Sequence, residues 1–364
     1  MTNKWNIMYN TSNILIEKIT SLANKKVNIM EVCGTHTMAI ASAGLKSVLP
    51  KNINLISGPG CPVCVTPTSI IDSAIELAKK DKIITTFGDM LRVPGSNSSL
   101  EKEKSFGCDV RIVYSCLDAL KIAQNNPKKE IVFIGVGFET TSPTIAVTLR
   151  IAKRKKIENF SVIPAFKLIP PALKVLLKQR IKIDGFLLPG HVSAIIGSKP
   201  YQFITEKYNI PSVITGFEPS EILQGIYMIL KQIHSGKTSI EIQYKKVVKD
   251  AGNPLAIRLL YSVFEETDSQ WRGLGIIKNS GLKFRNEYKI LDALQKFRIK
   301  LKNFKEPVGC LCGKILTGTV KPPQCKLFGI KCNTTNPIGP CMVSSEGTCA
   351  AYYKYGIVEK SNNS

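Results

Sequence analysis

Cysteine is the residue of this 364-residue chain with the most chemical potential, and its 11 copies are unevenly distributed. They form three groups, namely Cys33, Cys61 and Cys64; Cys108 and Cys116; and Cys310, Cys312, Cys325, Cys332, Cys341 and Cys349. Disulfide scaffolds with many cysteines are usually short secreted chains. Such clustering in a long chain therefore indicates metal binding or thiol redox chemistry.

The motif Cys61-Pro62-Val63-Cys64 places two cysteines three residues apart, where a helix is predicted to begin. A helix amino terminus lowers the pKa of a nearby thiol and favours the reactive thiolate. The pair is therefore suited to a dithiol–disulfide couple or to bidentate metal binding, and the spacing alone does not choose between them.

The six carboxy-terminal cysteines supply enough thiolates for zinc or for an iron–sulfur cluster. Structural zinc sites usually contain two close cysteine pairs, whereas only Cys310 and Cys312 are close here, with one residue between them. The wide remaining intervals favour a cluster held by loops, and zinc remains the alternative. A bound metal would also order this Gly- and Pro-rich segment, which lacks the pattern of a hydrophobic core.

Eight short apolar runs, each read as a buried β-strand, precede the cysteine-rich tail. Most are followed by Gly, Pro, Ser or Thr and then by a helical pattern, which predicts parallel sheets covered by helices. Eight strands exceed one sheet of about five or six, so we predict two small parallel-sheet (Rossmann-like) α/β domains. The strands are predicted at 27–32, 52–57, 82–87, 110–115, 130–136, 160–166, 183–189 and 211–217.

The predicted organisation has three domains. A polar stretch broken by a proline at 124–130 separates a first α/β domain (27–125) from a second (126–235). Residues 1–26 together with 236–364 form a third, loop-rich domain that carries the iron–sulfur cluster. In this last part, 235–248 is strand-like and 255–266 is predicted to be helical.

Four loops directly follow predicted strands and carry the remaining candidate residues. The carboxyl ends of parallel strands form the crevice in which ligands bind, so these loops are expected to bring their side chains to one edge. Taken singly, each residue has an ordinary structural explanation, such as a buried thiol or a capping histidine. The loops contain Cys33 and His36 (33–37), Cys61 and Cys64 (58–64), Glu139 (137–141) and His191 (189–193).

The formal net charge of +23 raises the question of a nucleic-acid partner. The lysines are scattered, and the run at 153–156 resembles a solvated helix end. No nucleic-acid motif is present, so an acidic protein partner is favoured over nucleic acid. A basic nucleic-acid binder with a structural metal remains a third functional hypothesis.

The composition, 44% hydrophobic and 21% charged, is that of a globular protein. No apolar run approaches the roughly 18 residues of a membrane span. The polar start lacks the apolar core of a secretion signal. We therefore expect a cytoplasmic protein with no membrane partner.

The four loop motifs, CGTHT, GPGCPVC, GFETT and PGHV, resemble in order the signature loops of the HypD family of hydrogenase maturation proteins. The tail CMVSSEGTCAAYYKYG at 341–356 is similar as well. The resemblance implies a scaffold on which the Fe(CN)₂CO unit of [NiFe]-hydrogenases is assembled. It also implies two partner proteins, HypC, which shares the iron, and HypE, which donates cyanide, and an indirect connection to the hydrogenase large subunit.

The resemblance further implies residue roles. The cluster spacing of the family, with 14, 6 and 16 residues between ligands, selects Cys310, Cys325, Cys332 and Cys349 for a [4Fe–4S] cluster and leaves Cys312 and Cys341 as extra thiols. By the same comparison, Cys33 holds the iron under assembly, and Cys61 and Cys64 form the redox dithiol, with metal contact as their alternative role. His36, Glu139 and His191 are candidates for proton delivery and for hydrogen bonds that orient the incoming ligand.

Two functions therefore compete. The leading hypothesis is a maturation scaffold with thiol and iron–sulfur redox chemistry rather than a turnover enzyme. The alternative is a cluster-linked protein dithiol/disulfide reductase, for which the same Cys61 and Cys64 would serve.

Overall fold

The computed structural model describes residues 2–179, 181–301 and 307–356, with side chains from Ser12 onward in the first helix. Eleven strands are present in this part of the chain. They are β1 (Val27–Glu31), β2 (Ile53–Ser57), β3 (Ile83–Thr86), β4 (Val110–Ile112), β5 (Ile131–Gly137), β6 (Phe160–Phe166), β7 (Gly185–Pro189), β8 (Ser212–Thr215), β9 (Ile240–Ile242), β10 (Phe264–Trp271) and β11 (Gly275–Phe284).

The described helices alternate with the strands over most of the chain. They are α1 (Thr2–Leu22), α2 (Gly34–Ser42), α3 (Leu45–Val48), α4 (Pro62–Val65), α5 (Thr68–Lys79), α6 (Gly88–Leu91), α7 (Leu100–Ser105), α8 (Cys116–Asn125), α9 (Ser142–Arg154), α10 (Ile169–Leu176), α11 (Gly190–Ile196), α12 (Gln202–Tyr208), α13 (Pro219–Ser235), α14 (Pro254–Val263), α15 (Ala293–Lys296), α16 (Cys312–Leu316), α17 (Pro340–Val343) and α18 (Thr348–Tyr355). Short 3-10 helices lie at Lys199–Tyr201, Asn286–Leu291 and Pro322–Gln324.

Two parallel sheets form the frame of the molecule. Sheet A has the strand order β2-β1-β7-β8-β9, and sheet B has the order β4-β3-β5-β6. Every strand pairing within them is parallel. All eight predicted strands are present, and the predicted α/β class is confirmed.

Both faces of each sheet are buried, which explains why the strands read as continuous apolar runs. In β1, Met30 packs into one core cluster while its neighbour Ile29 packs into another on the opposite face. In β5, Phe133 and Ile134 divide in the same way between the two faces of sheet B. The helices between the strands cover these faces.

The sheets do not follow the predicted division at residue 125. Sheet A combines β1 and β2 with β7, β8 and β9, whereas β4 and β5, on either side of the predicted boundary, both belong to sheet B. The assignment of one sheet to 27–125 and another to 126–235 is therefore wrong. The reason is that the chain leaves sheet A after β2, builds all of sheet B and then returns, so that β7 pairs directly with β1.

The ranges predicted for the third domain are also distributed over both sheets. Helix α1 packs against α13, and β9 forms the edge of sheet A. Phe264 and Phe284 pack into a core cluster of sheet B. Of the predicted third domain, the described part that is loop-rich and contains the six cysteines is 307–356.

An antiparallel hairpin, β10–β11, was missed at the level of sequence. Residues 255–266 were predicted to be helical, but α14 ends at Val263 and the chain continues as β10. From Glu265 to Gln270, half-buried and exposed residues alternate along β10, which is the period-two signal of a strand.

The carboxyl ends of the two sheets meet the cysteine-rich segment in one core. This core contains Val32 directly after β1, Phe138 after β5, Trp271 of the hairpin, and Cys341. Helix α18 packs against α2, which begins directly after Cys33. Among the described residues, no helix is both long enough and apolar enough to cross a membrane.

Candidate functional site

The loops after β1 and β2 lie against each other. The Gly34 N–H donates to the Gly60 carbonyl at 2.9 Å, and the Gly58 N–H donates to the Glu31 carbonyl at 2.8 Å. A Cβ atom on Gly60 would lie 2.2 Å from the Cys33 nitrogen, so this position has room only for glycine. The CGTHT and GPGCPVC motifs therefore form one continuous surface at the end of sheet A.

Cys33 is the N-cap residue of α2 and is 8% exposed. Burial raises the pKa of its thiol to about 12, and the negative charges of Glu346 and Glu31 add to the rise while the His36 backbone opposes it. The thiol is thus protonated at neutral pH. A metal ion bound here must displace that proton, because the thiolate is the ligand.

His36 lies one turn after Cys33 and is fully buried. Its Nε2 lies 2.9 Å from the Gly216 carbonyl oxygen and 3.0 Å from the Thr215 hydroxyl. A carbonyl can only accept, so Nε2 carries the proton and Nδ1 has a bare lone pair. Within the described part of the chain, Nδ1 has no hydrogen-bond partner. Burial lowers the pKa of His36 to about 4, which keeps the ring neutral.

His191 lies in the first turn of α11, directly after β7, and the Phe217 ring lies against both His191 and His36. The Phe217 ring stacks on His191 at 3.9 Å between centroids and lies 4.8 Å from the His36 ring. Partial burial lowers the pKa of His191. The structure thus brings Cys33, His36 and His191 to the same end of sheet A.

Cys61 and Cys64 form a disulfide bond, with their Cα atoms 5.3 Å apart. The Cys64 N–H donates to the Cys61 sulfur at 3.1 Å, which places this sulfur at the start of α4. Both side chains are buried, Cys61 at 3% exposure and Cys64 at 0%. The structure therefore shows the pair in its oxidised form and shielded from solvent.

The segment 340–349 connects the dithiol to the Cys33 loop. The Ser344 hydroxyl lies 3.3 Å from the Cys61 sulfur and donates to Asp89 at 3.2 Å. Two residues later, Glu346 accepts a hydrogen bond from the Thr35 hydroxyl at 2.8 Å. The segment begins with Pro340 and Cys341 and ends with Cys349.

All six carboxy-terminal cysteines line a single small pocket, which we call the cysteine pocket. Contacts run from Cys310 to Cys312, on to Cys341 and then to Cys349. Hydrophobic side chains, including Ile315 and Phe328, complete its wall. Most of these thiols are buried.

The donor set of the cysteine pocket fits an iron–sulfur cluster. Among the described residues, no group of three or more His, Cys, Asp or Glu side chains converges on a point where one metal ion would sit. A cubane cluster does not require such convergence, because each of its four irons takes a separate thiolate around the cavity. Six soft thiolate donors in an apolar enclosure match this requirement.

Glu139 lies at the end of sheet B, and its hydrogen-bond partner differs from those of His36. One carboxylate oxygen accepts the Ile169 N–H at 2.9 Å, and the other is buried without a partner among the described residues. Burial raises the pKa of Glu139 to about 8. The side chain lines a cavity of about 560 Å³ together with Tyr261 and Glu266.

Tyr201 is fully buried, and the Ser193 hydroxyl donates to its hydroxyl oxygen at 3.4 Å. Burial raises the pKa of the Tyr201 hydroxyl. Glu139 bonds to Ile169 and Cys33 bonds to Glu31, so the two candidate residues have separate hydrogen-bond partners.

Several residues of this site were not singled out from the sequence. Glu31 had a detectable signal, since it is an acidic residue in the apolar run VNIMEV. Ser344, Glu346 and Phe217 had none, because their roles arise only from tertiary contacts. Cys116 packs in the core of sheet B, away from the site.

Two parallel sheets carry a thiol-bearing site beside a pocket of six cysteines, an arrangement consistent with a thiol-rich accessory protein that binds metal. Comparison with known sequences makes the assignment specific. The profile of the HypD family, described as "Hydrogenase formation hypA family", matches residues 10–356. The chain belongs to this family.

Characterised relatives agree over nearly their whole length. HypD of Escherichia coli is a hydrogenase maturation factor that is 47% identical over 336 residues, covering 92% of this chain and 90% of the relative. HypD of Rhodobacter capsulatus is 45% identical over 349 residues, covering 94% and 93%. HypD of Azotobacter vinelandii is 43% identical over 357 residues, covering 95% and 94%. The chain is thus a hydrogenase maturation factor of the HypD type.

Proposed function

We propose that this protein is the scaffold on which an iron ion receives its cyanide and carbonyl ligands before transfer towards a [NiFe]-hydrogenase large subunit. In this proposal, HypC shares the iron with Cys33, and HypE delivers cyanide in a ternary complex. Family membership and the position of Cys33 support it. The reaction takes place in the cytoplasm, and the protein acts as a scaffold rather than as an enzyme with free turnover.

One observation carries the proposal, namely that the segment 340–349 contributes to the cysteine pocket and contacts both the dithiol and the turn that follows Cys33. Cys341 and Cys349 line the cysteine pocket, Ser344 contacts Cys61, and Glu346 contacts the Cys33 loop through Thr35. Electron storage and an iron-binding thiol are therefore joined by one short stretch of backbone. A maturation scaffold that must reduce and hold iron needs this proximity.

The iron under assembly is a substrate, and Cys33 is its ligand from this chain. Cys33 is the most exposed of Cys33, Cys61 and Cys64, so it is the one that a partner protein can reach. Binding replaces the proton of the Cys33 thiol with iron. The bare Nδ1 of His36 is an acceptor for a hydrogen bond, and the Phe217 ring packs against both histidine rings.

Four residues, Cys310, Cys325, Cys332 and Cys349, would hold a [4Fe–4S] cluster. When bound, such a cluster supplies electrons one at a time. Cys312 and Cys341 remain as thiols on the same pocket wall. At the dithiol, the Cys64 N–H and the Ser344 hydroxyl lie within reach of the Cys61 sulfur and can stabilise its thiolate after the disulfide opens.

The reductase alternative is disfavoured by the burial of Cys61 and Cys64. A dithiol that reduces disulfides of other proteins must present one sulfur to them. Here both cysteines are buried, and Ser344, the C-cap residue of α17, lies with its hydroxyl 3.3 Å from the Cys61 sulfur. An internal role for the couple is more consistent with this arrangement.

Infrared spectroscopy of the anaerobically purified complex with HypC tests the scaffold proposal. We expect bands of iron-bound cyanide and carbon monoxide, which Cys33→Ala abolishes. Cys116→Ala, which removes a buried thiol from the core of sheet B, is the control and should retain the bands. Full bands in Cys33→Ala would refute the role of Cys33. Many turnovers of a test disulfide with no bound iron–cyanide unit would favour the reductase.

A further inference from the structure

Glu31 is a buried acid at the end of β1, with 2% of its surface exposed. Its strand neighbours in register are Ser57 of β2 and Leu187 of β7. A carboxylate in such a position is costly unless hydrogen bonds replace its hydration. Its contacts are therefore informative about its function.

Both carboxylate oxygens of Glu31 bind the first turn of α2. One oxygen accepts the Cys33 N–H at 3.1 Å, and the other accepts the Thr37 hydroxyl. The Ser57 side chain adds a third hydrogen bond from the neighbouring strand. The carboxylate thus joins the end of sheet A to the residue that carries the thiol and to the turn that follows it.

Cys33 is held on its other side by the loop after β2. The backbone of Gly60 lies so close that even a Cβ atom would overlap the Cys33 nitrogen. The next residue, Gly34, donates to the Gly60 carbonyl at 2.9 Å. The Cys33 backbone is therefore clamped between the Glu31 carboxylate and the Gly60 backbone, and its N–H direction is set by Glu31.

We infer that Glu31 is a positioning residue that sets the backbone of Cys33, and through it the direction of the Cys33 sulfur towards the iron. This inference rests on the proposed function for what the sulfur binds. The effect depends on the reach of the carboxylate to the Cys33 N–H rather than on its charge. A fixed donor direction matters because a metal ligand must be held to a fraction of an ångström.

Two substitutions separate reach from charge. Glu31→Asp keeps the charge but withdraws the carboxylate by one methylene from the Cys33 N–H. Glu31→Gln keeps the reach and an acceptor oxygen but removes the charge. Glu103→Gln is the matched control. It removes the charge of another buried acid, which lies on α7 and pairs with Lys79 of α5.

Amide hydrogen exchange of the full anaerobic protein, resolved to single residues by mass spectrometry, is the first measurement. In Glu31→Asp the Cys33 amide is expected to exchange about tenfold faster, which is the upper end of the effect expected for the loss of one ordinary hydrogen bond. The Gly58 amide, which donates to the Glu31 backbone, should be unchanged and reports any general loosening. Glu31→Gln and Glu103→Gln should leave the Cys33 amide as in the wild type.

Infrared band intensity of the complex with HypC is the second measurement, and it should fall in Glu31→Asp but not in Glu31→Gln. An unchanged Cys33 amide in Glu31→Asp overturns the inference. So does a loss of protection in Glu31→Gln, which also decides the matter if the Asp variant does not fold. Absence of bands in the wild type would refute the proposed function, whereas the exchange measurement would still decide the role of Glu31.

Discussion

The hydroxyl oxygen of Ser344 lies 3.3 Å from the sulfur of Cys61. This contact joins residues 283 positions apart and places the cysteine-rich tail directly on the dithiol. The same hydroxyl accepts the Glu346 N–H at 3.2 Å, and Glu346 in turn contacts Thr35 beside Cys33. Hydrogen bonds through Ser344 and Glu346 therefore connect Cys61 to Thr35, two residues after Cys33.

Removal of this hydroxyl is expected to make the disulfide harder to open. In the reduced protein the Ser344 hydroxyl can turn from Asp89 to the Cys61 thiolate and stabilise it. For Ser344→Ala we expect the equilibrium with reduced and oxidised dithiothreitol to shift towards the Cys61–Cys64 disulfide by about three- to tenfold, the worth of one such hydrogen bond. Alkylation followed by mass spectrometry measures the reduced fraction.

The neighbouring residue provides the control for this prediction. Ser345 donates to Asp89 through both its N–H and its hydroxyl at 2.8 Å, and no contact of its side chain with Cys61 is present in the described structure. Ser345→Ala should therefore leave the thiol equilibrium in place. Equal shifts in the two variants would mean that Asp89, rather than the Cys61 contact, is responsible.

The cysteine pocket makes a separate prediction about metal content. If Cys325 is a cluster ligand and Cys312 is not, Cys325→Ala should lose most of the bound iron and sulfide, whereas Cys312→Ala should retain about four irons per chain. Both side chains line the same pocket and are buried, so the two variants remove similar packing. Iron and sulfide analysis with electron paramagnetic resonance of anaerobic protein measures the difference.

The outcome also separates a cluster from zinc. A single zinc ion would be detected directly by metal analysis, and the iron content would then be negligible in every variant. Equal iron loss in Cys312→Ala and Cys325→Ala would instead show that the spacing of the family does not select the ligands in this chain.

Much of the fold could be predicted because buried parallel strands leave a strong local signal. Each of the eight predicted strands is present. The pairing of β1 with β7, in which Ile29 lies beside Gly185, could not be predicted, because contacts between segments so far apart in sequence leave no local pattern. The hairpin β10–β11 was missed because α14 ends at Val263 and β10 begins at Phe264. With no loop between them, the start of the strand was read as the end of the helix.

The candidate site was predictable to a similar extent. All four candidate segments, after β1, β2, β5 and β7, were expected at one edge. Those after β1, β2 and β7 share the end of sheet A, whereas the one with Glu139 follows β5 of sheet B. Because Glu139 follows a strand of sheet B, its position relative to the end of sheet A depends on the packing of the two sheets, which has no local sequence signal. The phenyl ring of Phe217 between His36 and His191 is a purely tertiary feature.

Gly60 offers a steric test of the junction between the two thiol loops. A Cβ atom at this position would lie 2.2 Å from the Cys33 nitrogen, which is backbone and cannot move aside cheaply. Gly60→Ala is therefore expected to destabilise the protein by about 1–3 kcal/mol, as overpacking does, and to weaken the infrared bands of the HypC complex. Thermal unfolding measures the first effect.

A second glycine shows what an extra methyl group does where there is room. A Cβ atom on Gly88 would lie no closer than 3.9 Å to any neighbouring heavy atom, that atom being Cγ2 of Ile112. Gly88→Ala should leave both the unfolding temperature and the bands close to those of the wild type. Wild-type behaviour of Gly60→Ala would contradict the close packing of the two loops.

Lys167 predicts a pH dependence of stability that is independent of the thiol site. Burial lowers the pKa of its ammonium group from 10.5 to about 7, and its Nζ donates to the Ser269 hydroxyl at 2.6 Å. Between these two pKa values the unfolded chain binds the proton more strongly than the folded chain. The free energy of unfolding contributed by Lys167 therefore rises with pH from about 7 upward, by on the order of 1–3 kcal/mol up to pH ~9.

Lys167→Met isolates this contribution from other groups that titrate in the same range. The variant lacks the ammonium group, so its free energy of unfolding should rise less, or fall more, between pH ~7 and ~9 than that of the wild type. Any loss of the bond to Ser269 adds a constant offset and leaves the slope unaffected, since the Ser269 hydroxyl does not titrate here. Denaturant unfolding at each pH gives both slopes. Parallel slopes for the two proteins would show that Lys167 keeps its ordinary pKa despite burial.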